Sequence, residues 1–340
     1  MNRGPVDRRV KEVGVRQAGG EFGVAAVLFT YRCTIACRHC CFGCRGRRPD
    51  VVMDAERCAR YLGDLHELGR VIHIAGGECM LYWDELVEAI ALAQERGAQP
   101  HFIETNCSFA TNDEIVRERL GRLRSLGVDG LYISADPYHQ AHVPAERVVG
   151  VRDVAIELFE SQNVWGTRAT LEEVREFEQI ARDEDRLAEH VRRHPPRFVG
   201  TAYTELSRFV EHHPIADLPP GQGWRFRHEG PDCAVEFDPA KIWELHVDPY
   251  DNIQTNCGVI LGKADQIKVR RLIEAGPANA NVITRLLADG GPVRLAGWAT
   301  ERHGFDAPQR VPDKCALCYV TRRFLRSFYP EILGPDEVYE

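Results

Sequence analysis

From about Gly23 the chain alternates short runs of β-branched and aliphatic residues with longer runs whose apolar positions recur at helical spacing. The first kind predicts strands over Ala25–Tyr31, Val71–Ala75, His101–Thr105, Gly130–Ser134, Asn163–Ala169 and Arg197–Tyr203. The second predicts helices over Asp54–Leu68, Trp83–Glu95, Asn112–Leu126, Glu146–Phe159 and Leu171–His190. Asp54 and Asn112 stand where an N-cap side chain is expected, and Gly69, Gly97 and Gly127 where a helix hands over through a left-handed residue. Strand–helix alternation with connections of this length implies α/β architecture with a parallel sheet. Six such units suit an incomplete (β/α)6 barrel and an open doubly wound sheet equally well.

The rhythm stops near Tyr203, and Pro214, Pro219, Pro220, Gly221, Gly223, Gly230 and Pro231 mark a linker, placing a boundary between 205 and 231. Beyond it, Trp243–Asp248 and Asn252–Asn256 predict a hairpin around Pro249-Tyr250-Asp251. Helices are expected over Ala264–Glu274, Asn279–Ala288 and Cys315–Phe328, the last stopped by Pro330.

Composition narrows the function classes. The 340 residues carry a net charge of −8, and 44% are hydrophobic. That is ordinary for a globular chain and argues against a protein that tracks a phosphate backbone, so no nucleic-acid partner is expected. No run of about 18 apolar residues occurs, so no membrane span is expected. The polar segment 1–22 lacks the apolar core of a secretory signal, which makes the expected location cytoplasmic and its thiols reduced.

Against that background, 12 cysteines stand out. Reduced chains rich in Cys usually use them as soft metal ligands. Five lie between Cys33 and Cys44, four lie late at Cys233, Cys257, Cys315 and Cys318, and Cys58, Cys79 and Cys107 are isolated.

The early group follows the first predicted strand directly and contains Cys-x3-Cys-x2-Cys. Three thiolates on one loop can hold three irons of a [4Fe–4S] cube and leave the fourth open. The spacing fits twice, as Cys33/Cys37/Cys40 and as Cys37/Cys41/Cys44. The first register begins at the strand end and puts the planar His39 before its third ligand; the second puts Gly43 there. The competing reading is a zinc site, for which Cys41 and Cys44 could supply one pair.

With His39 in the place of the usual aromatic residue, this segment resembles the radical S-adenosylmethionine (SAM) superfamily. The resemblance extends to the ends of the later strands, where chemistry gathers in a parallel α/β barrel. Gly76-Gly77-Glu78 resembles the motif expected to meet the methionine end of SAM, with Cys79 where a proline is usual. Thr105-Asn106-Cys107 resembles a Thr-Asn-Gly motif. The resemblance also makes Ser134, Asp136 and Arg168 candidate SAM contacts, as hydroxyl, carboxylate and guanidinium partners at the ends of the fourth and fifth strands. His139 and His142 are candidate acid–base or substrate-binding groups. Cys79 and Cys107 are candidate hydrogen-atom donors, the alternative being small buried residues lining the site.

The late group, a hairpin between two ligands followed by Cys-x2-Cys, resembles the twitch form of the SPASM auxiliary-cluster extension. It makes Cys233, Cys257, Cys315 and Cys318 the ligands of a second [4Fe–4S] cluster, with zinc as the alternative. The expected organisation is a segment 1–22, a radical SAM partial barrel 23–205, a linker 206–231 and an auxiliary-cluster domain 232–340. The resemblance implies reductive cleavage of SAM by an electron from a flavodoxin- or ferredoxin-type donor, then hydrogen abstraction from substrate. A closed auxiliary cluster suits dehydrogenation, and thiols near the pocket suit epimerisation. Only about 22 residues precede the first strand, fewer than the roughly 80 of a folded leader-binding module. This tilts the expected substrate toward a small polar metabolite, such as a sugar or aminocyclitol, over a ribosomal peptide. The reading from another class is a non-catalytic zinc-binding protein.

Overall fold

A computed structural model describes residues 23–167, 169–218, 233–238, 241–276 and 281–339. The segment 1–22, Arg168 and the linker residues 219–232 lie outside the described residues. The chain divides into two compact units. The first holds residues 23–37, 44–184 and His246–Tyr250; the second holds Arg38–Gly43, 185–245 and 251–339.

In the first unit β1 (Val24–Leu28), β2 (Val71–Ala75), β3 (Phe102–Thr105), β4 (Gly130–Ile133) and β5 (Val164–Trp165) pair in sequence order, all parallel. Every residue of β1 and β2 is buried, as expected of strands covered on both faces. Between the strands run α1 (Ala55–His66), α2 (Trp83–Glu95), α3 (Asp113–Ser125), the short α4 (Pro137–Gln140), α5 (Ala145–Phe159) and, after β5, α6 (Leu171–Arg182). The expected caps are present: Asp54 accepts from the Arg57 amide and Asn112 from that of Ile115, both at 2.9 Å. Gly69, Gly97 and Gly127 have positive φ. Because the strands are parallel, the segments leaving β1 to β4 all emerge at one end of the sheet.

The α/β fold with a parallel partial-barrel sheet is as read from the sequence, but several elements differ. The fifth strand is only Val164–Trp165, because Gly166 (φ 91) turns the backbone hard against β4, where a Cβ would meet the Ile133 carbonyl oxygen at 1.9 Å. The expected sixth strand, Arg197–Tyr203, is absent. Pro195 and Pro196 remove two ladder donors before it, Gly200 bends at φ 56, and Thr201 begins a helix. The place beside β1 goes to a strand from far along the chain, Glu244–Val247. The expected helix Leu171–His190 is two helices, broken where Asp183 adopts extended backbone.

Beyond α6 follow α7 (Glu184–Arg193), α8 (Thr201–Leu206), β6 (His213–Pro214), α9 (Cys233–Glu236), β7 (Glu244–Val247), β8 (Asn252–Thr255), β9 (Ile260–Lys263), α10 (Val269–Ala275), α11 (Val282–His303), β10 (Arg310–Val311) and α12 (Lys314–Leu325), mostly in the second unit, with His246 and Val247 of β7 in the first. β8 and β9 pair antiparallel, as do β6 and β10. The described end of the expected linker is thus ordered by pairing. α11 extends well past the expected Ala288: Gly291 (φ 63) kinks it before Pro292, and it continues to a left-handed Gly304. It packs against α12, with Leu287, Leu295 and Ala299 buried on one helix and Leu317 and Leu325 on the other. No helix among the described residues is long and apolar enough to cross a membrane.

Candidate active site

The loop after β1 carries Cys33 and Cys37, each 7% exposed, and Cys44, also buried. The Gly76-Gly77-Glu78 turn after β2 lies directly on it. The Gly77 amide donates to the Thr30 carbonyl at 2.7 Å, and the Glu78 amide to the Arg32 carbonyl at 3.1 Å. A Cβ on Gly77 would come within 2.1 Å of the Arg32 carbonyl oxygen, and one on Gly76 within 2.5 Å of that of Thr30. The paired glycines are therefore required by close backbone approach, which seats the turn against the cysteine loop.

Glu78 is 1% exposed and faces donors only. Its carboxylate accepts from the Met80 amide (3.1 Å), the Asn106 amide (2.8 Å) and Thr105 Oγ1 (3.0 and 3.1 Å). Burial pushes its pKa up to about 7, with the Asn106, Met80 and Thr105 donors opposing. Asn106 Nδ2 in turn reaches Cys33 Sγ at 3.5 Å and Thr34 Oγ1 at 3.2 Å. Cys33, Gly76, Gly77, Glu78, Thr105 and Asn106, picked out separately in the sequence, thus form one connected network.

A second network joins the fourth strand end to the same loop. Asp136 caps α4, accepting on Oδ1 from the Tyr138 and His139 amides, and on Oδ2 it meets His139 Nδ1 at 2.8 Å. His139 reaches Cys37, their ligand atoms lying within 4.8 Å. Burial works against the imidazolium, but Asp136 and Cys37 outweigh it and hold His139 well above the usual histidine range. His142 Nε2 meets the Ala36 carbonyl at 3.1 Å, and the Ser134 amide donates to the Thr105 carbonyl. Asp136 and His139 thus form a bonded pair beside Cys37, an arrangement that spacing alone did not indicate. Ser134 and His39 are half-buried, and Arg168 lies outside the described residues.

Cys79 and Cys107 are 1% and 0% exposed. The Cys79 thiol donates to the Glu104 carbonyl at 3.3 Å. Burial, with Glu78 nearby, pushes both thiols well above their ordinary pKa. Cys107 has φ 65, so a side chain occupies left-handed backbone in the place where the resembled motif has glycine.

In the second unit, Cys233, Cys257, Cys315 and Cys318 line one cavity. Cys315 and Cys318 occupy the first turn and a half of α12, one helical step apart, behind the N-cap Asp313, which accepts from the Ala316 amide at 2.7 Å. Cys257 sits in the tight β8–β9 turn, its amide donating to Thr255 Oγ1. The fully buried Arg322, four residues beyond Cys318, clamps that turn by donating to the Cys257 and Gly258 carbonyls at 3.1 and 3.2 Å. Arg197 Nη1 donates to Cys257 Sγ at 3.3 Å, and that sulfur lies 3.4 Å from Glu236 Oε1. Burial opposes the Arg197 charge, but Cys257, Cys315, Glu236 and Cys41 together raise its pKa. Cys41 therefore lies in reach of Arg197; burial pushes its own thiol up to about 12, with Arg197 opposing. The two arginines carried no sequence signal beyond Arg322 falling on the Cys315–Cys318 helix. Four thiols on one cavity with guanidinium donors behind them fit a soft metal or an iron–sulfur cluster.

Residues 27–160 match the profile of the Radical SAM superfamily. Among solved structures, the chain is similar to BtrN in complex with AdoMet and 2-DOIA, at 14% identity over 80% of this chain and 89% of that one, with a TM-score of 0.46. It is also similar to Streptococcus suis SuiB bound to precursor peptide SuiA, at 13% identity over 86% and 75% of the two chains, with a TM-score of 0.34. No curated protein matches the chain. The match marks a radical SAM domain over residues 27–160, a family that implies SAM and a [4Fe–4S] cluster as cofactors.

Proposed function

We propose, from the premise of a radical SAM domain over residues 27–160, that this chain is a dehydrogenase of a small polar metabolite of the sugar or aminocyclitol type, working with two [4Fe–4S] clusters. In this reading Cys33, Cys37 and Cys40 hold the cluster that binds SAM, and Cys233, Cys257, Cys315 and Cys318 hold an auxiliary one. The first cluster, when bound, supplies the electron that splits SAM into methionine and a 5′-deoxyadenosyl radical able to take a hydrogen atom from carbon. The register Cys33/Cys37/Cys40 is favoured by Asn106 on Cys33 and by Cys41 lying in reach of the Arg197 charge.

The chain's own residues place and insulate. Glu78 ties Thr105 and Asn106 to the turn that lies on the cysteine loop, and Asp136 fixes the His139 ring beside Cys37. Gly76, Gly77, Ser134 and the backbone around Asn106 remain the groups assigned to SAM. The observation that carries the choice of dehydrogenation is the convergence of the four late thiols on one cavity. Cys233, Cys257, Cys315 and Cys318 would hold such a cluster with no iron left open, and it would then supply electron transfer. A substrate radical that gives up an electron and a proton has lost two hydrogens in all, with the electron passing on to an external acceptor. Burial of Cys79 and Cys107, with the Cys79 thiol already donating to the Glu104 carbonyl, favours this outcome over epimerisation by a thiol donor. The proposal includes a flavodoxin- or ferredoxin-type reductant and a cytoplasmic location.

The test is anaerobic reconstitution. The expected protein is brown, with about eight irons, and releases 5′-deoxyadenosine from SAM when reduced. Cys233→Ala should lose about half the iron, keep SAM cleavage and stop product formation. Loss of two hydrogens from an aminocyclitol or sugar supports dehydrogenation; a product of unchanged mass in H2O that gains one carbon-bound deuterium in D2O marks epimerisation. A colourless, zinc-loaded protein with no SAM cleavage overturns the reading.

A further inference from the structure

Two guanidiniums stand at the cavity lined by the late cysteines. Arg322 donates to the Cys257 and Gly258 carbonyls and to Tyr339 Oη, and it also bonds the Cys318 thiol. Arg197 points a guanidinium N–H at a different sulfur, 3.3 Å from Nη1 to Cys257 Sγ. The base of this side chain is fixed from behind. Pro195 and Pro196 stiffen the approach, and Gly200 and Thr201 are locked to the Cys40–Cys41 backbone, the Thr201 amide donating to the Cys40 carbonyl at 3.0 Å. Glu236, 5% exposed, accepts from the same thiol, Cys257 Sγ to Oε1 at 3.4 Å. A permanently charged donor is therefore aimed at one ligand sulfur by a rigid segment. Hydrogen bonds to ligand sulfur and nearby positive charge stabilise the more negative, reduced form of a cluster. A guanidinium does this more strongly than a neutral donor because the bond is charge-assisted.

We propose that Arg197 is a positioning residue of the auxiliary site, whose N–H···S bond to Cys257 orients that ligand and raises the reduction potential of a cluster bound there. This rests on the auxiliary-cluster reading above and goes beyond it by naming the residue that makes the site a good electron acceptor.

The experiment uses the full chain with Cys33, Cys37 and Cys40 replaced by Ala, so that only auxiliary iron remains, and follows the midpoint potential by redox titration with electron paramagnetic resonance. About four irons are expected in this background. Zinc or no metal there overturns the auxiliary-cluster reading and the inference with it. Adding Arg197→Gln should keep the iron and shift the one-electron equilibrium toward the oxidised form about tenfold, a fall of about 59 mV. Arg197→Lys, which keeps charge and a donor, should recover most of the shift. Iron retained with a potential unmoved within threefold overturns the inference alone. If Arg197→Gln binds no iron while Arg197→Lys does, the requirement for a charged donor on Cys257 is supported. If neither binds iron although circular dichroism shows both folded, Arg197 serves packing only and the inference fails.

Discussion

Replacing Gly77 by alanine tests the contact on which the candidate SAM site is built. The added methyl would lie 2.1 Å from the Arg32 carbonyl oxygen, 2.6 Å from its carbon and 3.1 Å from Cys33 Cβ. The first two are backbone atoms, so no side-chain rotation relieves the overlap, and the turn must lift off the cysteine loop. Overpacking of this kind costs about 1–3 kcal/mol. Lifting the turn also weakens the Gly77–Thr30 and Glu78–Arg32 backbone hydrogen bonds, each worth about 1 kcal/mol. The sum is about 3–5 kcal/mol, or roughly 10 °C in melting temperature for a unit of this size. Glu78 moves with the turn, so Thr105 and Asn106 lose their acceptor and Cys33 its Asn106 contact. Function should therefore fall further than stability, with SAM binding and SAM cleavage both lost at temperatures where the variant is folded. Gly63→Ala and Gly121→Ala are the controls: both lie inside helices with nothing within 4 Å of the added carbon, and each should stabilise by about 0.4–1 kcal/mol. The assays are thermal melting and calorimetric SAM binding on the reconstituted protein. A Gly77→Ala protein that melts and binds SAM like these controls refutes the reasoning.

Three further outcomes are expected. Because Glu78 holds its proton up to about 7 against an ordinary 4.5, the folded chain binds it more tightly than the unfolded one; the resulting stability, about 3 kcal/mol, is full below pH 4.5 and is lost as pH rises through 7. Melting curves of Glu78→Gln should lack that slope, and an unchanged slope counts against the assignment. Cys107→Gly should be more stable than Cys107→Ala by about 1–2 kcal/mol, since glycine alone relieves the left-handed backbone at φ 65; equal denaturation midpoints would contradict this. Gly200→Ala would drive a methyl to within 2.5–2.6 Å of the Cys41 and Cys40 carbonyl oxygens, at a residue whose φ is already 56. Iron analysis should show loss of the first cluster, whose proposed third ligand is Cys40, and full iron occupancy would sink the claim that Gly200 seats this loop.

The sequence by itself determined the parallel α/β core and the roll of candidate ligands. Periodicity and caps are local: an aspartate that can bond the third amide, or a glycine that accepts positive φ, acts within one turn of chain, so α1, α3 and their ends were legible. The spacing of Cys33, Cys37 and Cys40 and of Cys315 and Cys318 is local too. What tertiary structure decided is everything set by partners distant in the chain. The strand beside β1 comes from Glu244–Val247, because pairing depends on an open edge and not on sequence order. Arg197–Tyr203 has strand-like residues but folds otherwise, since Gly200 is needed against the Cys40–Cys41 carbonyls. Glu78 reads as a ligand-binding acid in the motif, yet it is fully engaged with Met80, Thr105 and Asn106. Arg197 and Arg322 read as two of many arginines until the fold brings them to Cys257, 60 and 65 residues apart in the chain. A buried charge needs specific partners to offset its desolvation, and only the folded chain brings those partners within bonding distance.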